Sequence, residues 1–197
     1  MSPFERTPPW SVYVPPQDKV EVTADSDLEL AVCSAPGKGT FPARVISPQD
    51  VGVEHRGKGR NQRLVHNILP DNVQADCLLV VEVYTEEGAT SSWPSHKHDT
   101  ALPGQETQLE ETYYHRFDPP QGFAFQRVYT DDRSLDACMA PYNHDVVMVP
   151  RGYHPVATIA GYDSYYLNVM AGPERKWLFT WEDDHAWINS PDYPRHD

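Results

Sequence analysis

The 197-residue chain is poor in cysteine, in basic side chains and in long apolar runs, and each shortage removes a class of protein. Its three cysteines, Cys33, Cys77 and Cys138, are odd in number and far apart. That fits neither a disulfide framework nor a paired-cysteine zinc site, and they read as reduced core thiols. With 16 basic against 29 acidic side chains the formal net charge is −13, which argues against a phosphate backbone as partner. A small anionic substrate stays open, because a local cluster of Lys, Arg and metal charge outweighs the global field at short range. No charged-then-apolar segment opens the chain and no apolar run approaches bilayer length, so the expectation is a cytosolic protein without a membrane partner.

Aromatic residues and prolines are plentiful instead. With 11 Tyr, 5 Trp and 19 Pro, the composition favours short strands joined by turns over long helices. Trp10–Val14, Asp18–Thr23 and Leu28–Cys33 alternate in polarity, with Pro15-Pro16 and Asp25-Ser26-Asp27 between them, and predict a strand meander. The basic glycine-rich run Arg56–Arg63 lacks the Gly-Lys-Ser/Thr ending of a phosphate loop, and is expected to be a solvated connector or a rim contact for an anion. From Cys77 onward, strands are expected at 78–84, 111–117, 122–129, 145–149 and 164–170, an all-β antiparallel barrel or sandwich. The acidic, aromatic segment 183–187 is expected to pack its Trp onto that barrel as a tail.

The candidate chemistry lies in three places. His96 and His98 stand two apart on an expected strand and so share a face. Glu111 lies on the next strand, and its parity groups it with Tyr113 and His115, whereas Glu110 shares a face with Thr112 and Tyr114. His154 follows the turn Pro150-Arg151-Gly152. Three imidazoles and one carboxylate suit a divalent metal with positions left open. Glu106 is a weaker candidate ligand, and His115 and His144 are extra imidazoles for which a turn role is expected at His144. Arg127 is expected to face the interior and take a substrate carboxylate, Arg133 to pair with Asp131 or Asp132 on the surface, and Lys97 to face away from its flanking histidines. His55, His66, His185 and His196 lie outside any ligand pattern and are assigned no chemistry.

Several motifs carry a resemblance: Phe4-Glu5-Arg6-Thr7-Pro8, Arg56-Gly57-Lys58-Gly59, Ser92-Trp93-Pro94-Ser95-His96-Lys97-His98-Asp99, Leu109-Glu110-Glu111-Thr112-Tyr113-Tyr114, Gly122 to Asp132, Val149-Pro150-Arg151-Gly152-Tyr153-His154, and Tyr165 to Gly172. In these the chain resembles the 5-deoxy-glucuronate isomerase family of myo-inositol catabolism, within the cupin superfamily, and is also similar to 5-keto-4-deoxyuronate isomerases. The resemblance implies cupin barrels of the double-stranded β-helix or jelly-roll kind. Residues 1–70 would be a partial N-terminal unit and connector, and 71–197 a C-terminal metal-binding barrel with a tail. Residues 1–35 look like the later strands of an N-terminal barrel whose earlier strands are absent, so that barrel is expected to be open or to borrow strands from a partner.

The resemblance further implies one divalent ion, zinc or manganese with iron as the third choice, held by His96, His98, Glu111 and His154. It implies a small anionic sugar acid as substrate, converted from 5-deoxy-glucuronate to 5-dehydro-2-deoxy-gluconate, and leaves room for a homo-oligomer. Proton transfer would fall to His115, Tyr114 or Glu110, and substrate contacts to Arg127, Tyr129 and Asn168. A metal-dependent oxygenase and a catalytically silent sugar-acid-binding cupin are the competing readings.

Overall fold

Strand alternation decides the architecture, because residues two apart along each strand either enter the core or leave it. The computed structural model describes residues 2–193; His196 lies outside the described residues. In chain order the strands are β1 (Ser11–Tyr13), β2 (Arg44–Ile46), β3 (Gly52–Arg56), β4 (Arg63–Leu69), β5 (Leu78–Thr85), β6 (Thr90–Ser91) and β7 (His96–Lys97). They continue with β8 (Glu110–Asp118), β9 (Ala124–Tyr129), β10 (Asp136–Met139), β11 (Val146–Val149), β12 (Val156–Thr158), β13 (Asp163–Ala171) and β14 (Thr180–Trp181).

A six-stranded antiparallel sheet in the order β11-β8-β13-β5-β4-β3 faces a four-stranded sheet in the order β10-β9-β12-β6. The all-β barrel expected from the sequence is therefore present. Val65, Val81, Val83, Tyr113, Phe117, Val128, Val149, Val156 and Tyr166 fill the space between the sheets. Each comes from an inward-facing parity position, as in β8, where Glu111, Tyr113, His115 and Phe117 are buried while Glu110 and Asp118 at its ends are exposed. Among the described residues no helix is long and apolar enough to cross a membrane.

The first third of the chain departs from expectation. Of the predicted meander only Ser11–Tyr13 forms a strand, and it pairs with β2 rather than with its sequence neighbours. Val20, Val22, Leu28, Leu30 and Val32 are between 52% and 84% exposed. Their alternation marks an apolar face, but a strand also needs a hydrogen-bonded neighbour, and none of the described residues supplies one. The basic run is not a free connector either. Arg56 ends β3 and Arg63 begins β4, and the turn between them needs glycine: Gly57 has φ +85°, and a Cβ there would lie 1.9 Å from the Asn61 carbonyl oxygen. β3 and β4 thus continue the main sheet through β5.

The outer face of that sheet is covered by Tyr13, Ile46, Val51, Ile68 and Ala75, packed on Tyr84, Tyr165 and Leu167. Within this layer lies a buried polar network that the histidine spacing did not reveal. His66, on β4, places Nδ1 2.8 Å from Glu82 Oε1. The Tyr84 and Tyr165 hydroxyls donate to the same carboxylate, each at 3.0 Å. Burial, reinforced by the Glu82 charge, raises the pKa of both phenols, so they remain donors. Glu82→Ala leaves three buried groups without their partner and is expected to cost about 3–5 kcal/mol, read from urea unfolding. A loss below about 1 kcal/mol would show that the network does not anchor the outer layer.

Candidate metal centre

Two histidines reach the centre from β7 and the residue that follows it. β7 pairs with β14, Trp181 opposite His96 and Thr180 opposite Lys97, which turns His96 inward and Lys97 outward. His98 follows immediately and is buried. Glu111 enters from the second position of β8. His154 is placed by the turn before it: Gly152 has φ +90°, and a Cβ there would come within 2.3 Å of the Tyr129 carbonyl oxygen. The Gly152 N–H donates to Asp99 Oδ2 at 2.8 Å, tying the His154 turn to the His96–His98 segment.

Hydrogen bonds fix which ring nitrogens are free. His98 Nδ1 lies 3.2 Å from the Leu109 carbonyl and His154 Nδ1 lies 2.9 Å from the Gly152 carbonyl. A carbonyl only accepts, so both Nδ1 atoms carry hydrogen and each neutral ring presents a lone pair at Nε2. Those Nε2 atoms stand 2.9 Å and 3.0 Å from Glu111 Oε2. The donor atoms of His96, His98 and His154 all lie within 4.8 Å of one another. His96 Nδ1, His98 Nε2, His154 Nε2 and Glu111 Oε2 are all buried without a hydrogen-bond partner.

Lone pairs facing a carboxylate oxygen at 3 Å repel unless positive charge lies between them. Burial pulls His98 down, but the Glu111 carboxylate more than offsets it and the pKa is raised. Burial would raise Glu111, yet His154 and His98 hold it well below the usual carboxylate range. Burial and the two neighbouring imidazoles push His96 far down. A divalent cation would satisfy these lone pairs and the Glu111 carboxylate together. The donor set therefore fits a metal. Asn168 Nδ2 donates to the other Glu111 oxygen, Oε1, and holds the carboxylate in orientation.

The remaining candidates divide by strand parity. His115 faces inward but lies four residues along β8 from Glu111, roughly 13 Å. Its Nε2 meets Gln126 Oε1 at 2.9 Å. Tyr114 and Glu110 lie on the opposite face from the metal donors, which removes both as proton-transfer groups. The Tyr114 hydroxyl donates to Glu29 and meets His144 Nδ1 at 2.7 Å, and Glu110 is exposed.

Arg127 does not face the interior: Ala124, Gln126 and Val128 take the inward positions of β9, and Arg127 is exposed and bidentate to Asp136 at 2.8 and 2.7 Å. Tyr129 is buried, its hydroxyl shared with Ser95 Oγ at 2.7 Å and Glu182. Arg133 does not pair with Asp131 or Asp132; it reaches Glu182 at 3.2 Å and stacks over Tyr129. Lys97 points to Asp131 and Asp99. Glu106 accepts the backbone N–H groups of Asp99 and Thr100, both at 2.9 Å, and so shapes the loop. His144 occupies a turn with φ +73°. His55 is exposed on β3, and His185 packs against Trp93 at 4.9 Å.

Sequence reasoning missed the aromatic strap over the centre. Phe179 and Trp181 approach the His96 ring with centroids 5.0 and 5.6 Å away, and Trp177 packs on Phe179 at 5.7 Å. The alternation Trp177-x-Phe179-x-Trp181 was the available signal, since it puts three rings on one face of an extended segment.

Residues 1–188 match the KduI/IolB family. The 5-deoxy-glucuronate isomerase of Geobacillus thermodenitrificans (strain NG80-2) is 60% identical over 188 residues, which is 95% of this chain and 69% of that protein. The protein of the same name from Bacillus subtilis (strain 168) is 55% identical, with 95% and 69% covered. The crystal structure of an IolB-like protein from Salmonella typhimurium LT2 superposes with a TM-score of 0.95 at 78% identity, covering 96% of this chain and 72% of that one.

Two outcomes test the site's electrostatics. Asn168→Ala frees the Glu111 carboxylate and is expected to weaken metal affinity about 10- to 100-fold in a chelator-competition titration; unchanged affinity would remove Asn168 from the centre. Burial pulls His115 down to about 4. Its unfolded counterpart titrates near ~6.5, so the contribution is intact above that pH and is lost as pH falls to 4, by up to about 3 kcal/mol. Replacing His115 by Asn should flatten that part of the stability–pH curve, whereas profiles that stay parallel would contradict the assignment.

Proposed function

The chain belongs to the KduI/IolB family, and from that premise we propose that the His96–His98–Glu111–His154 centre is the catalytic metal site of a 5-deoxy-glucuronate isomerase. The carrying observation is that the ligand atoms of His96, His98 and His154 lie within 4.8 Å of one another, with His98 Nε2 and His154 Nε2 2.9 and 3.0 Å from Glu111 Oε2 and all three of these atoms buried and left without hydrogen bonds. The reaction moves a carbonyl between adjacent carbons of a small anionic sugar acid, placing the chain in myo-inositol catabolism. Zinc or manganese suits a set of three nitrogens and one oxygen. When bound there, the ion polarises the substrate carbonyl and stabilises negative charge on two neighbouring oxygens.

The chain's own groups do the rest. His98 and His154 are held in the metal-binding tautomer by the Leu109 and Gly152 carbonyls, and Asn168 orients Glu111. Tyr113 is the inward residue next along β8 from Glu111, and its hydroxyl meets Ser92 Oγ at 2.9 Å. Burial and then the Glu111 charge hold its pKa well above the usual value, so the phenol keeps its proton and can offer it as a hydrogen bond to a substrate oxygen. Phe179 and Trp181 exclude water from the His96 side.

Turnover of 5-deoxy-glucuronate by the purified chain should disappear on chelation and return with one equivalent of zinc or manganese. Turnover that survives complete metal removal would overturn this reading.

A further inference from the structure

Ser92 occupies a backbone position that suits glycine. Its φ is +49°, in the left-handed region that side chains rarely adopt, and the residue is only 7% exposed. Glycine would fit this turn with less strain, so the reason for a serine lies in its hydroxyl. That hydroxyl stands between two phenols: Ser92 Oγ is 2.9 Å from the Tyr113 hydroxyl and 3.5 Å from the Tyr166 hydroxyl. Both tyrosines belong to the core between the sheets, with ring centroids 4.7 Å apart. Tyr113 lies two residues from Glu111 on the same face of β8, and its ring centroid is 5.9 Å from that of His154. The row Tyr166–Ser92–Tyr113 therefore ends beside the metal centre.

The row also has a direction. A phenol owns one hydroxyl hydrogen, and if Tyr113 gives it to Ser92 none remains for a substrate oxygen. Arg63 shares the inward parity of Val65 on β4, and its Nη1 donates to the Asn61 carbonyl and side-chain oxygen, both at 2.9 Å. Burial lowers the Arg63 pKa, and Tyr166 acts on the guanidinium more than Tyr113 does, so the positive charge lies toward the Tyr166 end of the row. A cation at that end turns hydroxyl hydrogens away from itself. Tyr166 then donates to Ser92, and Ser92 donates to Tyr113.

We propose that Ser92 is a positioning residue for the reaction, its hydroxyl donating to the Tyr113 oxygen and so leaving the phenol hydrogen free for a substrate oxygen beside the metal. The proposal rests on the isomerase reading and deepens it by naming the group that decides which way the Tyr113 hydroxyl points. It gives the left-handed serine a function, and it makes Tyr166 the support behind Ser92.

The test is a double-mutant cycle on the metal-loaded chain: Ser92→Gly, Tyr113→Phe and the two together, with KM and kcat for 5-deoxy-glucuronate and bound metal measured for each. Ser92→Gly suits the backbone and removes the hydroxyl. It should lower kcat about 10- to 100-fold, with KM within about twofold and bound metal unchanged. Ser92→Ala, which keeps the Cβ, should repeat that loss. Tyr113→Phe should lower kcat at least as far, and adding Ser92→Gly to it should cost nothing further, because Ser92 then has no phenol to orient. A residue that only shapes its loop would act with or without that phenol. Wild-type kcat in Ser92→Gly, or losses that multiply across the pair, would overturn the proposal and leave the isomerase reading in place. If the parent chain never isomerises, that reading falls, and the Cζ resonance of isotope-labelled Tyr113 reports the hydrogen bond without turnover. A resonance that shifts in Ser92→Gly upholds the contact, and one that stays overturns it.

Discussion

Three imidazoles and a carboxylate, buried with their lone pairs turned on one another, are the constraint around which the barrel is organised. Each buried polar atom left without a partner costs about 1–3 kcal/mol, and three such atoms, His98 Nε2, His154 Nε2 and Glu111 Oε2, meet at one spot here. No other side chain relieves them; their remaining atoms are already committed to Leu109, Gly152 and Asn168. A cation is the group that would relieve this cluster. The strands serve it in different ways. β8 brings Glu111 in by parity, the β7–β14 pairing turns His96 inward, and the Gly152 turn delivers His154 from a distant part of the chain.

The two faces of the large sheet divide structural from chemical work. On the outer face, His66, Tyr84 and Tyr165 satisfy the Glu82 carboxylate completely, and the network binds a covering layer. Toward the barrel interior polar groups are left unsatisfied, among them the His98, His154 and Glu111 donors and Trp177 Nε1. Satisfied networks rigidify, whereas a cluster of orphaned donors calls for a partner. Tyr114 and Glu110 fall on the wrong side of this division, one tied to Glu29 and His144 and the other in water, which is why adjacency in sequence to Glu111 gives them no role.

Much of the centre was legible because β periodicity is strict. The spacing of His96 and His98 and the grouping of Glu111 with Tyr113 and His115 follow from a period of two. Periodicity sets which residues share a face, not which face is inside, and Arg127 shows the difference. Phe125 and Arg127 alternate with Ala124, Gln126 and Val128, and apolar residues on both faces left the choice open; the structure puts Phe125 and Arg127 outside. Residues 18–33 carry a strand-like pattern without a pairing strand, a property of partners and not of the segment. The Arg56–Arg63 pair was hidden because a basic glycine-rich run reads as a loop until Gly57 is seen to close a hairpin.

The central claim is that one cation is held by four named donors. Anomalous scattering collected at the zinc and manganese edges from crystals of the purified chain tests it most directly. The account predicts one strong peak within bonding distance of His96, His98, Glu111 and His154. Catalytically active crystals with no peak there, or with the metal bound elsewhere, would contradict it.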